Sequence, residues 1–270
     1  MKNLKNKVVI ITGASSGIGK ACAEIFGLAG AKIIISARGE ENLVKAQKEL
    51  AAKGISILAQ KSDVSSEKDC SALIDFAIKS FGKIDILINN AGISMRAAFN
   101  DLDLKVLKQL IDINYWGMVY CTKFALPSII ENKGTVIGIS SIAGYKGLPG
   151  RTGYASSKFA MNGFLESLRM EMFAKGVNVL TVAPGFTASN IRNTALNAAG
   201  NAQSESPLEE KKLMTAEEVA KYILKATLKR KKQLILTGQG KLTVWLNKFF
   251  PSFMDKMVYN HMRKEKDAPF

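Results

Sequence analysis

The chain has 270 residues, 47% of them hydrophobic and 23% charged, which is enough apolar material for one good core. No run approaches the roughly 18 uninterrupted apolar residues that a membrane-spanning helix needs, and Cys22, Cys70 and Cys121 are too scattered for a disulfide framework. The single histidine, His261, lies in a basic C-terminal stretch, which argues against a Ser-His-Asp triad or a His-rich metal site. The net charge of +15 leaves nucleic acid, an anionic membrane surface or a polyanionic cofactor as partners.

In chain order, Met1-Lys2-Asn3 leads almost directly into an apolar run too short for a signal peptide, so a cytoplasmic chain is expected. Strands are expected over Lys7–Thr12, Lys32–Ala37, Ile55–Gln60, Ile84–Asn89, Thr135–Ile139, Val177–Val182 and, briefly, Gln233–Leu236. Helical spacing fills the intervals: Gly17–Ala29, with Ile18, Ala21, Cys22, Ile25 and Phe26 facing inward, then Glu40–Lys53 and Ser66–Phe81, capped by Ser65 or Ser66. A long helical stretch runs from about Leu104 to Ile130, followed by Tyr154–Ala174 and Thr215–Leu228. Runs such as Val8-Val9-Ile10-Ile11 are apolar throughout, as a parallel sheet covered on both faces requires. The expected fold is α/β: a single Rossmann-type domain over residues 1–240 with a doubly wound parallel sheet, then a helical tail over 241–270.

The first strand turns into the first helix through Thr12-Gly13-Ala14-Ser15-Ser16-Gly17-Ile18-Gly19. Glycines there let the backbone approach a pyrophosphate, which the helix N-terminus holds with its free N–H groups. A ligand-free glycine turn is the bland alternative, and a P-loop fits poorly because Ala14 and Ala21 stand where its glycine and hydroxyl belong. Tyr154-Ala155-Ser156-Ser157-Lys158 places a phenol and an ammonium on one helical face. A neighbouring cation lowers a phenol's pKa toward the working range, although such a pair alone fits a solvated helix face better. Ser140-Ser141, Asn89-Asn90 and Pro184-Gly185 each follow a strand, so five segments converge on the carboxyl edge of the sheet.

Together these motifs, in order and spacing from about Lys5 to Ser189, resemble the short-chain dehydrogenase/reductase family. The resemblance implies that Gly13, Ser15, Gly17, Ile18 and Gly19 contact the cofactor's pyrophosphate and ribose, Asp63 its adenine amino group, and Asn90 the lining beside the adenine ribose. It also implies Asn114 as a proton-relay residue, a helix-kinking polar residue being the compatible alternative, Ser141 as the carbonyl-polarising serine, Tyr154 as the acid/base and Lys158 as the ribose-binding lysine. The resemblance further implies that Pro184 and Gly185 line the nicotinamide end, where Thr187 or Ser189 holds the amide. The second strand ends in neutral Ala37 and then Arg38, where an NAD enzyme carries an acid, which points to NADP(H). Pairing of Arg38 with Glu40 or Glu41 is the alternative.

Residues 186–206 read as a lid rich in small polar residues, without a charged anchor for an acidic substrate. The tail interleaves aromatics such as Trp245, Phe249 and Phe253 with lysines, and Pro251 splits it into two short helices. It either packs on its own domain or across a homo-oligomer, or it lies on a membrane surface. Such tails loosely resemble those of lipid-acting short-chain enzymes, including steroid and keto-sphingoid reductases. The resulting expectation is hydride transfer between NADP(H) and a small-molecule ketone or secondary alcohol, probed against two alternatives. These are a catalytically idle cofactor-binding scaffold and a nucleic-acid binder, for which the sequence carries no motif.

Overall fold

The computed structural model describes residues 4–187, 191–203, 213–265 and 267–270. Its strands are β1 (Val8–Thr12), β2 (Lys32–Ala37), β3 (Ile57–Lys61), β4 (Ile86–Asn89), β5 (Thr135–Ile139), β6 (Asn178–Ala183) and β7 (Gln233–Ile235). They pair in parallel in the order β3-β2-β1-β4-β5-β6-β7. Successive side chains alternate between the two faces. Val9, Ile11, Ile33 and Ile35 pack beneath α1 (Gly17–Leu28), α2 (Glu40–Ala51) and α7 (Ala216–Leu228). Val8, Ile10, Ile34 and Leu87 pack beneath α3 (Glu67–Phe81), α5 (Gly117–Glu131) and α6 (Thr152–Glu171). This is the doubly wound Rossmann-type sheet, with its strand order reversing between β1 and β4.

Several element boundaries differ from the expected ones. The third strand starts at Ile57 because Ile55 instead plugs the space beside Gly27, where an added Cβ would stand 2.3 Å from Ile55 Cγ2. The fourth starts at Ile86, and the carboxylate of Asp85 just before it is tied to neighbouring segments. It accepts from the Val8 N–H at 2.9 Å and pairs with the Lys7 and Lys83 ammoniums at 2.6 and 3.1 Å. On α1, Ala21, Cys22 and Phe26 are buried as expected, while Ile18 and Ile25 are only partly covered. Ser66, not Ser65, caps α3 by accepting from the Asp69 N–H.

The long helical stretch is not continuous. It comprises α4 (Leu104–Leu110), a π-helical turn over Ile111–Trp116, and α5. The helix α6 begins at Thr152, two residues before Tyr154. The tail forms α8 (Gly238–Phe249) and α9 (Pro251–Met262), with Pro251 in the first turn, where its missing N–H costs no hydrogen bond.

Candidate active site

The crevice opens where the strand order reverses, between the loops that follow β1 and β4. Thr12 ties those loops together: its hydroxyl accepts from the N–H groups of Asn90 and Ala91, both at 3.1 Å. The Asn90 amide returns the bond, donating to the carbonyls of Thr12 and Gly13 at 3.0 and 2.9 Å. Gly13 adopts a left-handed φ of 63°, and a Cβ there would stand 2.7 Å from Ala91 Cα. At Gly19 a Cβ would meet both the Asn90 side chain and the Gly13 carbonyl at 2.5 Å. Ser16 precedes α1 without a side-chain cap, so the first-turn N–H groups are left for an anion. Bare backbone at Gly13, Gly17 and Gly19, beside Ser15 and Ile18, therefore fits a pyrophosphate.

After β2, Arg38 is exposed and has no ion pair among the described residues. Glu40, its expected alternative partner, pairs with Lys61 at 3.1 Å. Arg38, Lys105 and Lys108 border a shallow hollow of about 330 Å³. The Asp63 carboxylate accepts from the Ser65 N–H and hydroxyl at 3.0 and 2.7 Å, which holds the turn after β3.

The catalytic candidates gather beyond β4 and β5. Asn114 is fully buried in the π-helical turn. It accepts from the Ile93 N–H at 2.8 Å and donates to the Ile93 carbonyl and the Ser157 hydroxyl at 3.0 and 2.9 Å. Lys158 is buried and donates to the Ile139 carbonyl at 2.9 Å, with its Nζ 5.6 Å from the centre of the Tyr154 ring. Tyr154 is hydrogen-bonded to Ser141. Ser141 faces the cavity, and its hydroxyl also accepts from the Ala143 N–H at 3.1 Å. Ser140 is buried and directs its hydroxyl to the Lys158 carbonyl.

Electrostatically the pair differs from the expectation that Lys158 lowers the Tyr154 pKa. Burial raises the phenol's pKa, against opposition from the Ser141 bond and from the charges of Arg151 and Arg192. Burial also pushes Lys158 down to about 7, so its own charge is partly withdrawn at neutral pH. The reason is that the ammonium is dehydrated against β5 rather than lodged at the phenol oxygen.

Tyr154, Ser141 and Lys158 open onto a cavity of about 300 Å³ that also reaches Asn90, Pro184, Gly185 and Thr187. Thr187 is buried, and its hydroxyl donates to the Gly185 carbonyl at 3.2 Å; Ser189 lies outside the described residues. The roof was not foreseen: Met254, Met257, Val258 and Met262 of α9 close the cavity with Gly240 of α8, and His261 stands at its rim. The tail is held there by polar contacts, with Lys146 paired to Asp255 at 2.5 Å and Glu265 shared by Arg96 and Arg151 at 3.3 and 3.0 Å. The lid expectation is also corrected in one respect. Arg192 lines the cavity, its Nη2 donating to the Thr187 carbonyl at 2.8 Å, so the segment does contain a charged group beside the site. Arg151, three residues before Tyr154, was legible from its position, whereas no local signal marks where the tail returns.

Known proteins resemble this chain over most of its length. A family model described as short chain dehydrogenase matches residues 7–200. Dehydrogenase/reductase SDR family member 7B of Rattus norvegicus is 35% identical, covering 98% of this chain and 84% of that protein. An uncharacterized oxidoreductase, YxnA, of Bacillus subtilis is 33% identical over 99% of this chain and 77% of its own length. Among solved structures, a Caenorhabditis elegans short-chain dehydrogenase/reductase with cofactor shares 26% identity at a TM-score of 0.79, covering 88% of this chain and 96% of its own. A Burkholderia phymatum relative in complex with NAD superposes at 0.82 with 24% identity, covering 94% and 96%, and carries an argument for the fold alone.

Proposed function

The chain belongs to the short-chain dehydrogenase/reductase family, whose members transfer hydride between a nicotinamide cofactor and CH–OH or C=O groups, and we propose that it uses NADP(H) on a ketone or secondary alcohol with an apolar body. A nicotinamide cofactor supplies the hydride donor or acceptor when bound; the chain's own groups do the rest. Gly13, Ser15, Gly17, Ile18 and Gly19 receive the pyrophosphate, Asp63 and Asn90 flank the adenosine, and Pro184, Gly185 and Thr187 border the nicotinamide, with Ser189, outside the described residues, as the alternative to Thr187 for its amide. Ser141 donates a hydrogen bond to the substrate oxygen, and Tyr154 gives or takes the proton at that atom. Lys158 holds the nicotinamide ribose, and Asn114 fixes the Ile93 backbone and Ser157 beneath α6. The observation that carries this reading is the Tyr154 phenol, bonded to Ser141 and half-buried at the wall of an otherwise largely apolar cavity.

The cofactor preference is supported by Arg38, exposed after neutral Ala37 and bordered by Lys105 and Lys108, a setting suited to a 2′-phosphate. Cofactor absorbance followed with a panel of ketones tests both parts. NADPH should exceed NADH in kcat/KM by roughly tenfold or more, the worth of one charge-assisted bond. Equal efficiency would overturn the NADP reading, and NADPH binding without turnover of any ketone would favour the idle scaffold.

The tail supports a second element of the reading, contact with an anionic membrane surface at the cytoplasmic side. Leu242, Trp245, Phe249, Phe250 and Phe253 are each more than half exposed, among exposed Lys241, Lys248 and Lys256. Among the described residues no helix is long and apolar enough to cross a membrane. A homo-oligomer through the same face is the competing occupant.

A further inference from the structure

The helix that roofs the cavity lies beyond residues 7–200, the stretch matched by the family model, so this wall is added to the framework which that model describes. Met254, Val258 and Met262 stand four residues apart on α9 and form one stripe along it. Met254 and Met262 are 3% and 1% exposed, and all three border the same cavity as Ser141 and Tyr154, with Leu148 and Phe186 on the domain side. Met257, on the neighbouring stripe, borders the cavity as well but is 47% exposed, which puts it at the edge of the roof.

The roof is fixed relative to the reacting groups. Gly240 of α8 rests on Ile142, where an added Cβ would stand 2.8 Å from Ile142 Cδ1, and the Asn247 amide donates to the Tyr145 carbonyl at 3.0 Å. On α9 itself, Asp255 pairs with Lys146 at 2.5 Å. All three anchors grip residues 142–146, the turn that follows Ser141, so the stripe keeps a set distance from that hydroxyl.

The choice of side chains is informative. A helix that had only to pack would be held best by branched side chains in fixed rotamers, which specify one arrangement. Methionine is unbranched and adaptable, and repacks around whatever lies against it. Here polar clasps at Asp255 and Glu265 hold the tail while its apolar stripe borders open space. That space is modest. Its volume of about 300 Å³ is at the lower end for small-molecule sites, and it includes Asn90, Pro184 and Gly185, on the side given above to the cofactor. What remains suits a narrow, flexible group better than rigid fused rings.

We propose that α9 sets the substrate range of the enzyme: Met254, Val258 and Met262, with Met257, seat an unbranched aliphatic chain on a ketone or secondary alcohol whose reacting carbon lies at Ser141 and Tyr154. This rests on the oxidoreductase reading for the reaction but not for the seat.

The test uses the full chain with NADPH and three ketones: methyl ketones of six and ten carbons, and a tetracyclic ketone. Each methylene taken from water into the seat adds up to about fourfold in kcat/KM, so the ten-carbon ketone should exceed the six-carbon one by roughly tenfold or more. It should exceed the tetracyclic ketone as well, and a preference for the fused rings would overturn the proposal. Val258→Phe narrows the seat, whereas Met257→Asp sets a carboxylate beside the chain at a position exposed enough to spare the fold. Each should bring the ratio of ten- to six-carbon efficiency down toward one. A loss of fold would lower both ketones together and leave the ratio in place, so NADPH binding is measured alongside. A wild-type ratio in Met257→Asp protein that still binds NADPH would overturn the seat. Calorimetric binding of hexanamide and decanamide, which the reaction does not consume, reads the seat apart from turnover. Tighter binding of decanamide that Met257→Asp weakens, without turnover of any ketone, would retain the seat and reject the reaction. Equal binding of the two amides would overturn the seat and leave the reaction standing.

Discussion

Burial acts on Tyr154 and Lys158 in opposite directions, and the consequences are measurable. The phenol's pKa is raised, so Tyr154 keeps its proton through neutral pH and is ready to donate it in the reductive direction. Tyr154→Phe should lower turnover by about 10²–10⁴, the usual contribution of a positioned proton donor, while NADPH binding measured by fluorescence stays near wild type. A variant that retains a tenth or more of the wild-type rate would remove Tyr154 from the acid/base role. Lys158, pushed down to about 7 from 10.5, bears on stability. Below pH about 7 both folded and unfolded chains hold the proton, and the cost of the buried charge is fully present. Between about 7 and 10.5 the unfolded chain binds more protons, so stability should rise with pH by up to about 1.4 kcal/mol per unit. The raised Tyr154 pKa opposes this only above pH about 10. Urea midpoints of the cofactor-free protein at pH 7, 8 and 9 should therefore climb relative to Lys158→Met. Parallel curves for the two proteins would show that Lys158 does not titrate in this window.

At the level of elements, the strands were readable because branched apolar runs such as Ile33-Ile34-Ile35 have no other way to bury both faces. The glycine loop was readable for a related reason: Gly13 and Gly19 sit where a Cβ would strike backbone or a side chain held by it. Gly19→Ala should consequently displace the Asn90 amide from the Thr12 and Gly13 carbonyls. Overpacking of this kind costs on the order of 1–3 kcal/mol, and NADPH affinity should fall with it. Calorimetric melting and NADPH titration of the variant check both; unchanged affinity would mean the loop does not hold the cofactor. The π-helical turn was not readable. Asn114 could be read as a helix-kinking polar residue, but the exchange of hydrogen bonds between Asn114 and the Ile93 backbone that accompanies the π turn is non-local. The boundaries expected at Ile55 and Ile84 shifted where the chain meets groups far away in sequence, Gly27 beside Ile55 and Lys7 at Asp85.

On the scale of the whole molecule, the tail has two faces with different duties. The inner one, with Met254 and Met262 buried and Glu265 clasped by Arg96 and Arg151, roofs the cavity. The outer one leaves Trp245 at 57% and Phe249 at 56% exposure. Sequence period could mark the tail as amphipathic but could not say which face the domain would take, because that depends on groups as distant as Lys146. Deleting the tail would confound the two duties, so the membrane reading is better tested on the outer face alone. The full chain should co-sediment with phosphatidylserine-containing vesicles. Each interfacial aromatic would contribute up to about 1.5–3 kcal/mol and each nearby lysine about 1 kcal/mol. Raising salt from about 0.05 to about 0.5 M should weaken binding because screening shortens the lysines' reach. Trp245→Ser combined with Phe249→Ser should abolish sedimentation while leaving the melting temperature and the turnover of a small soluble ketone near wild type, since both side chains already face outward. If the face instead meets a second copy of the chain, the intact protein stays in the supernatant with vesicles, sediments as a dimer without them, and becomes monomeric in the double variant. Retention in the supernatant at low salt would reject the membrane contact.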